Sequence, residues 1–351
     1  MKKIPLMMSG VILVGHGGPE MLNFRDDLRT PEPRAGEVLI KVNAAGVNNT
    51  DINTRTGWYS KSNTGAEGSS WSGDALNFPR IQGIDACGEI VGVGVGCDSR
   101  RIGERVLVEP CLHESAGKKL LQPWFLGSEC DGAFAEYLTV SSCHAHEISS
   151  DLSDIELASF PCSYSTAENM LTRCNVGIGD RVLITGASGG VGSAAVQLAK
   201  RRGAIVYAVT SETKLSQLLE IGADQSFDRN SDILESLGKD SMDVIIDLVA
   251  GSKWPNILET LCHHGRYAVS GAVAGPHVEL DVRTLYLKDL NFFGCTALDK
   301  GIFKNLISHI EGKSIGPLVA ETYPLREIAT AQESFKRKKH IGKIVLNVSN
   351  F

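Results

Sequence analysis

The chain has 351 residues, 42% of them apolar, enough to fill two ordinary cores at roughly 100 to 200 residues per domain. Thirty-five basic against 41 acidic residues give a net charge of −6, a balance that does not suit a phosphate backbone, so no nucleic-acid partner is expected. No stretch reaches the ~18 apolar residues of a membrane span, and no membrane association is expected.

The nine cysteines are odd in number, scattered and without a C-x-x-C pair, which reads as free thiols in a reducing, cytoplasmic setting. Glycine is the unusual entry in the composition: 37 residues, against 12 prolines and no G-X-Y period, so where they cluster becomes the question.

In chain order, the apolar stretch from Ile4 to Val14 reads as a first strand. Gly10, the polar turn from His16 to Pro19 and the lack of an A-x-A site argue against a leader peptide. Short β-like runs follow at Gly36 to Val42, Gly88 to Val93, Gly103 to Val108 and Phe134 to Val140, and their spacing without long helices predicts a barrel-like β domain. The Gly/Ser-rich stretch from Ser60 to Asp74 reads as an exposed loop. Ser153 and Glu156 form a capping box that opens a helix toward Met170 and Leu171. From there the period changes. Strand, helix, strand, helix and strand are predicted at Arg181 to Thr185, Val191 to Arg202, Ala204 to Val209, Lys214 to Ile221 and Asp243 to Val249, the alternation of a doubly wound parallel sheet. Helices around Ile302 to Ile310 and Leu325 to Lys338 and a strand at Gly342 to Val348 end the chain, and periodicity does not decide which domain they join.

Two glycine clusters compete as a phosphate cradle. The run Gly92 to Gly96 leads from one strand to another with no helix behind it, and reads as a turn. The segment Gly186-Ala187-Ser188-Gly189-Gly190-Val191-Gly192 lies between a buried strand and an amphipathic helix, where backbone N–H groups and the helix dipole can receive a pyrophosphate. Ser188, Gly189, Gly190 and Val191 are therefore expected to bind a dinucleotide. The next strand ends in Thr210-Ser211-Glu212-Thr213-Lys214, with hydroxyls and a lysine where an NAD site offers a carboxylate to the ribose. Ser211, Lys214 and Arg229 suit a 2′-phosphate and favour NADPH, with Glu212 as the counter-evidence.

At this point the motifs Gly46-Val47-Asn48-Asn49-Thr50-Asp51 with Arg55, Gly57 and Tyr59, Gly83 to Gly88, Asp131 to Tyr137, Thr166-Ala167, the Gly189 loop and Gly342 to Leu346 resemble the medium-chain dehydrogenase/reductase superfamily. They are most similar to its zinc-independent quinone oxidoreductase branch. The resemblance implies a GroES-like β-barrel catalytic domain over residues 1–150, a Rossmann dinucleotide-binding domain over 151–296 and a return of 297–351 to the catalytic domain, with NADPH in the cleft. It also implies that Thr166, Gly271 and Ala272 lie by the nicotinamide and that Lys343 approaches the cofactor phosphates. The three ligand positions of the catalytic zinc in zinc-dependent relatives fall on Asn48, Ile84 and Cys162, so no catalytic metal is expected. Cys111, His113 and Cys130 are too few for a second, structural zinc, and His144 and His146 read as surface histidines.

Without a metal, the substrate oxygen needs hydrogen-bond donors, and the matched motif offers Asn48 and Tyr59 as the catalytic pair, with Asp51 and Arg55 structural. The resemblance thus implies reduction of a small molecule, a quinone or an α,β-unsaturated carbonyl, by NADPH. The alternatives are a zinc-dependent alcohol dehydrogenase with other ligands and a non-catalytic NADPH-binding protein. The segment Arg283 to Phe293, with the apolar runs Leu285 to Leu287 and Leu290 to Phe293, implies, by the same resemblance, a homodimer or homotetramer. The 60–74 and 113–128 segments, longer than in the small quinone reductases, bear on substrate choice.

Overall fold

A computed structural model describes residues 4–60, 70 and 75–349. The chain divides into two units, one taking Met1–Cys162, Ile310–Gly312 and Pro317–Phe351, the other Ser163–His309 and Lys313–Gly316. Apart from Ser60 and Ser70, the expected loop from 60 to 74 lies outside the described residues.

The first unit opens with β1 (Met7–Leu13), β2 (Leu22–Arg29), β3 (Glu37–Val47) and helix α1 (Asn49–Thr56). After these come β4 (Arg80–Ile81), β5 (Cys87–Val93), β6 (Arg105–Val108), β7 (Cys111–Ser115), β8 (Lys118–Phe125), β9 (Tyr137–Ser141), β10 (Ala145–Glu147) and α2 (Asp154–Leu157). The single helix expected from Ser153 to Leu171 is two. The capping box is present, with Ser153 N–H on Glu156 at 2.8 Å, but Pro161 has no N–H to continue the ladder and starts α3 (Pro161–Arg173) instead.

The second unit continues with β11 (Arg181–Ile184), α4 (Gly190–Arg201), β12 (Ile205–Thr210), α5 (Leu215–Glu220), β13 (Gln225–Asp228), α6 (Ile233–Leu237) and β14 (Met242–Asp247). It closes with α7 (Trp254–Glu259), β15 (Leu261–Val269), α8 (Val282–Leu287), β16 (Asn291–Gly294) and α9 (Ile302–Glu311), whose last residues fall to the first unit. Its six strands are parallel in the order β13-β12-β11-β14-β15-β16, so the order reverses between β11 and β14. In such sheets ligands bind beyond the carboxyl ends of the strands at that switch point. Leu183, Ile245, Trp254, Leu258, Leu261 and Tyr267 pack one core of this unit.

Finally β17 (Val319–Pro324), α10 (Ile328–Lys336) and β18 (Lys343–Asn347) complete the first unit. Its main sheet runs β10-β6-β5-β3-β18-β17, with β9 also on β3. The last strand lies antiparallel to β3, Ile344 opposite Val47, and this pairing brings Lys343 to the end of β3. The 113–128 extension is an antiparallel ribbon of β7 and β8, anchored by buried Phe125, with Leu121 fully exposed. The Gly92 to Gly96 run is a turn leading only to a short 3-10 segment, Ser99–Arg101. Among the described residues no helix is long and apolar enough to cross a membrane.

Candidate active site

In the first unit the site is built where β3 ends and α1 begins. Asn48 is the N-cap of α1, in extended conformation, and its backbone N–H is held by the Asp51 carboxylate at 2.8 Å. Asn48 and Asp51 thus form a capping box at the start of α1. Asn48 Nδ2 donates to Asp85 Oδ2 at 2.7 Å and, more loosely, to Gly46 O at 3.3 Å. Its Oδ1 accepts from Lys343 Nζ at 2.5 Å. Lys343 also donates to Asp85 Oδ2 at 2.8 Å, while Asp85 Oδ1 takes the Cys162 N–H at 2.6 Å. Asn48, Asp85, Lys343 and Cys162 are all buried. One carboxylate, in the loop ahead of β5, thus ties together the residue after β3, the start of α3 and the first residue of β18.

The resemblance implied a place at the cofactor phosphates for Lys343; its ammonium donates to Asn48 and Asp85. Asp85 was given no role from the sequence, although it lies within the matched motif Gly83 to Gly88. Burial, above all, pushes the Asp51 carboxyl up to about 7, against the pull of the Asn48 N–H. Arg55, also buried, donates to Gln332 and to Gly17 O, so it holds the fold together as expected.

Tyr59 follows α1, and its hydroxyl lies 3.2 Å from Thr50 Oγ1, two residues beyond Asn48. Burial raises the phenol pKa above its ordinary value, with Cys162 and Asp51 acting in the same direction, so it stays protonated as a donor. Asn48 and Tyr59 are therefore brought to one end of α1.

In the second unit Gly186 has φ +61°, a conformation an L side chain adopts only with strain, and opens the turn after β11. Gly192 packs so close that a Cβ would lie 2.4 Å from Gly186 O. Gly189 caps α4, and Gly190 and Val191 lie in its first turn, where N–H groups have no helical acceptor. Lys214 is buried, with Nζ 3.5 Å from Ser188 Oγ, joining the end of β12 to the glycine turn. Burial lowers its pKa and the nearby Arg229 guanidinium lowers it further, so a second cation lies close to Lys214. Ser211 is the residue before the 3-10 turn that carries Lys214, and Glu212 at its first position is exposed. These groups suit a dinucleotide phosphate: donors, cations and a glycine turn that a side chain would block.

Thr166 is half-buried on α3, and Gly271 and Ala272 follow β15. A Cβ on Gly271 would meet Leu248 O at 2.8 Å, so this glycine lets the turn after β15 lie on the turn after β14. That second turn is held by Asp247, a fully buried carboxylate that accepts Thr185 Oγ1 at 2.5 Å, Tyr267 OH at 2.6 Å and the N–H groups of Val249 and Ala250. Sequence reasoning missed it, although an aspartate closing the apolar run Val244 to Ile246 was a signal.

As a zinc site the first unit offers a poor donor set: a carboxamide already bonded at Asn48, an isoleucine at 84, and one thiol. Zinc needs three protein ligands. Among the described residues no group of three or more His, Cys, Asp and Glu is arranged to hold a metal ion. The reading of His144 and His146 as surface histidines is corrected: His144 is buried, and both rings reach Glu109 Oε2, at 3.0 and 3.1 Å. His144 Nε2 accepts the N–H groups of His113 and Glu114, so the clamp ties β10 to the β7 ribbon. Burial opposes ionisation of Glu109, yet the two histidines bring its pKa down to about 2.

Comparison with known proteins agrees with this architecture. Residues 34–150 match the alcohol dehydrogenase GroES-like domain and residues 190–312 the zinc-binding dehydrogenase family. A quinone oxidoreductase of Lama guanicoe is 30% identical, over 97% of each chain. An acryloyl-coenzyme A reductase of Metallosphaera sedula is also 30% identical, over 97% of this chain and 99% of that protein. A structure from Sinorhizobium meliloti, solved under the provisional description of an alcohol dehydrogenase, is 42% identical with a TM-score of 0.90, covering 99% of this chain and 98% of that one. The chain belongs to the medium-chain dehydrogenase/reductase superfamily, with a GroES-like domain and a Rossmann-type parallel sheet. It is an oxidoreductase, of a family whose members bind a nicotinamide dinucleotide.

Proposed function

We propose that the protein uses NADPH to reduce a small-molecule quinone or α,β-unsaturated carbonyl compound without a catalytic zinc. The observation that carries this reading is Asn48: at a zinc-ligand position of the zinc-dependent relatives, it is a carboxamide bonded to an ammonium and a carboxylate. The names of two relatives, quinone oxidoreductase and acryloyl-coenzyme A reductase, both denote acceptors with a carbonyl conjugated to a carbon–carbon double bond. Lys214 beside Ser188, with Arg229 near and no carboxylate at the tip of β12, supports NADPH over NADH.

Bound NADPH supplies hydride, and the protein's task is the oxygen that gains negative charge. Asn48 Nδ2 and Tyr59 OH donate to it, and one such donor in a dry site contributes about 3 to 4 kcal/mol to lowering the barrier. The enolate or quinol anion then takes its proton from solvent, whereas an alcohol needs its own proton removed, and Asn48 and Tyr59 are both placed as donors.

The test is the rate of NADPH and NADH oxidation with 1,4-benzoquinone, crotonaldehyde and acetaldehyde, alongside zinc analysis of the purified protein. Faster NADPH oxidation with the first two, and no stoichiometric zinc, is expected. The second reading is a zinc-dependent alcohol dehydrogenase, favoured by the description of the 42% identical structure. About one zinc per chain with acetaldehyde reduction would put it first. We also expect a homodimer or homotetramer through the edge strand β16, near which Phe292, Tyr286 and Leu287 are exposed, and a cytoplasmic setting for the free cysteines.

A further inference from the structure

Asn48, Asp85 and Lys343 form a closed triangle in which every pair is bonded: 2.7 Å from Asn48 Nδ2 to Asp85, 2.8 Å from Lys343 to Asp85 and 2.5 Å from Lys343 to Asn48 Oδ1. An ammonium only donates and a carboxylate only accepts, so the carboxamide can sit in one orientation alone. One Nδ2 hydrogen is committed to Asp85. The other rests on Gly46 O at 3.3 Å, long for such a bond, and is the one a stronger acceptor would take. The triangle is itself fixed from outside, because Asp85 Oδ1 holds the Cys162 N–H and Asp51 holds the Asn48 N–H. The Lys343–Asp85 pair is almost wholly buried, with side-chain exposures of 2% and 0%. Buried pairs of this kind contribute little net stability, so orientation is the better account of it.

We propose that Lys343 is a positioning residue of the reduction site: it holds Asn48 Oδ1 so that the loosely bonded Nδ2 hydrogen is presented to the substrate oxygen. Its charge on Oδ1 also strengthens that donor. The inference rests on the reading above, in which Asn48 serves the oxygen. It separates Lys343 from the cofactor phosphates and gives the buried ammonium a role in the electrostatics of the carbonyl.

The test compares wild type with Lys343→Met, Lys343→Arg, Asn48→Ala and the Lys343→Met/Asn48→Ala double variant. Turnover is read with NADPH and 1,4-benzoquinone or crotonaldehyde, and NADPH affinity by fluorescence titration without acceptor. Lys343→Met is expected to lower kcat about 100-fold, the cost of a misplaced group, with NADPH affinity unchanged. The double variant should be no slower than Asn48→Ala alone, and Lys343→Arg should recover most of the rate. If Lys343→Met does not fold, Lys343→Met/Asp85→Asn removes both buried charges and is judged in the same way. Losses that multiply in the double variant, or weakened NADPH binding with kcat intact, would overturn the inference while the functional reading stands. A wild-type protein inactive toward both acceptors would overturn both.

Discussion

The Tyr267 hydroxyl donates to the buried Asp247 carboxylate at 2.6 Å while accepting the Trp254 indole N–H at 2.8 Å, so one phenol links the core of the second unit to the turn after β14. Removing it in Tyr267→Phe leaves that carboxylate short of a donor, which costs about 1–3 kcal/mol for a buried group. Urea unfolding should show the loss, and Trp254 emission should shift as its partner disappears. Unchanged stability would mean the Asp247 network is redundant.

Lys214→Ala should raise KM for NADPH about 10- to 100-fold, the range of one charge-assisted hydrogen bond, and leave KM for NADH nearly unchanged. Initial-rate measurements with both cofactors decide it. Equal effects on the two would remove Lys214 from the 2′-phosphate.

Two glycines separate cradle from turn. At Gly192 a Cβ would lie 2.4 Å from Gly186 O and 2.6 Å from Ala187 Cα, both backbone atoms that yield only if α4 moves. Gly192→Ala should therefore cost about 1–3 kcal/mol and abolish NADPH binding in a fluorescence titration. Gly96 has φ +85° but nothing within 4 Å of an added Cβ, so Gly96→Ala should cost only about 1–2 kcal/mol of backbone strain and bind NADPH normally.

Stability should depend on pH through Asp51. Its folded pKa of about 7 lies above the ordinary 3.8, so the folded state holds a proton that the unfolded chain releases. The contribution is fully present below pH 3.8 and is lost as pH rises through about 7. Chemical denaturation from pH 5 to 8 should show falling stability, and Asp51→Asn should flatten that slope. A slope equal in the variant would assign it to other groups.

The elements read best in the sequence were those with a strong local pattern. The strand, glycine turn and helix from Arg181 to Arg201 stand within a residue or two of their expected limits because an apolar run, a turn and an amphipathic face follow one another there. β2 was missed because Leu22–Arg29 is mostly polar and mostly exposed, with only Leu22 and Leu28 half-buried, too few for a face to show a pattern. Pro161 splits a helix that the capping box had begun correctly. Asn48 and Tyr59 were legible as motif positions, but the partners of Asn48 were not. Asp85 and Lys343 lie 37 and 295 residues away along the chain, and no local period encodes such contacts.

That separation also sets an order of assembly. The strand paired with β3 through Ile344 and Val47 is translated only after the whole nucleotide-binding unit, so a ribosome that has finished α3 has made Asn48 and Asp85 but not the cation between them. Until Lys343 arrives, Asp85 is a carboxylate without its counter-charge and the Ala44–Val47 part of one edge of β3 stands open. The nascent first unit should then be the species that chaperones hold, whereas the second unit, whose strands all pair within Arg181–Gly294, can fold while synthesis continues.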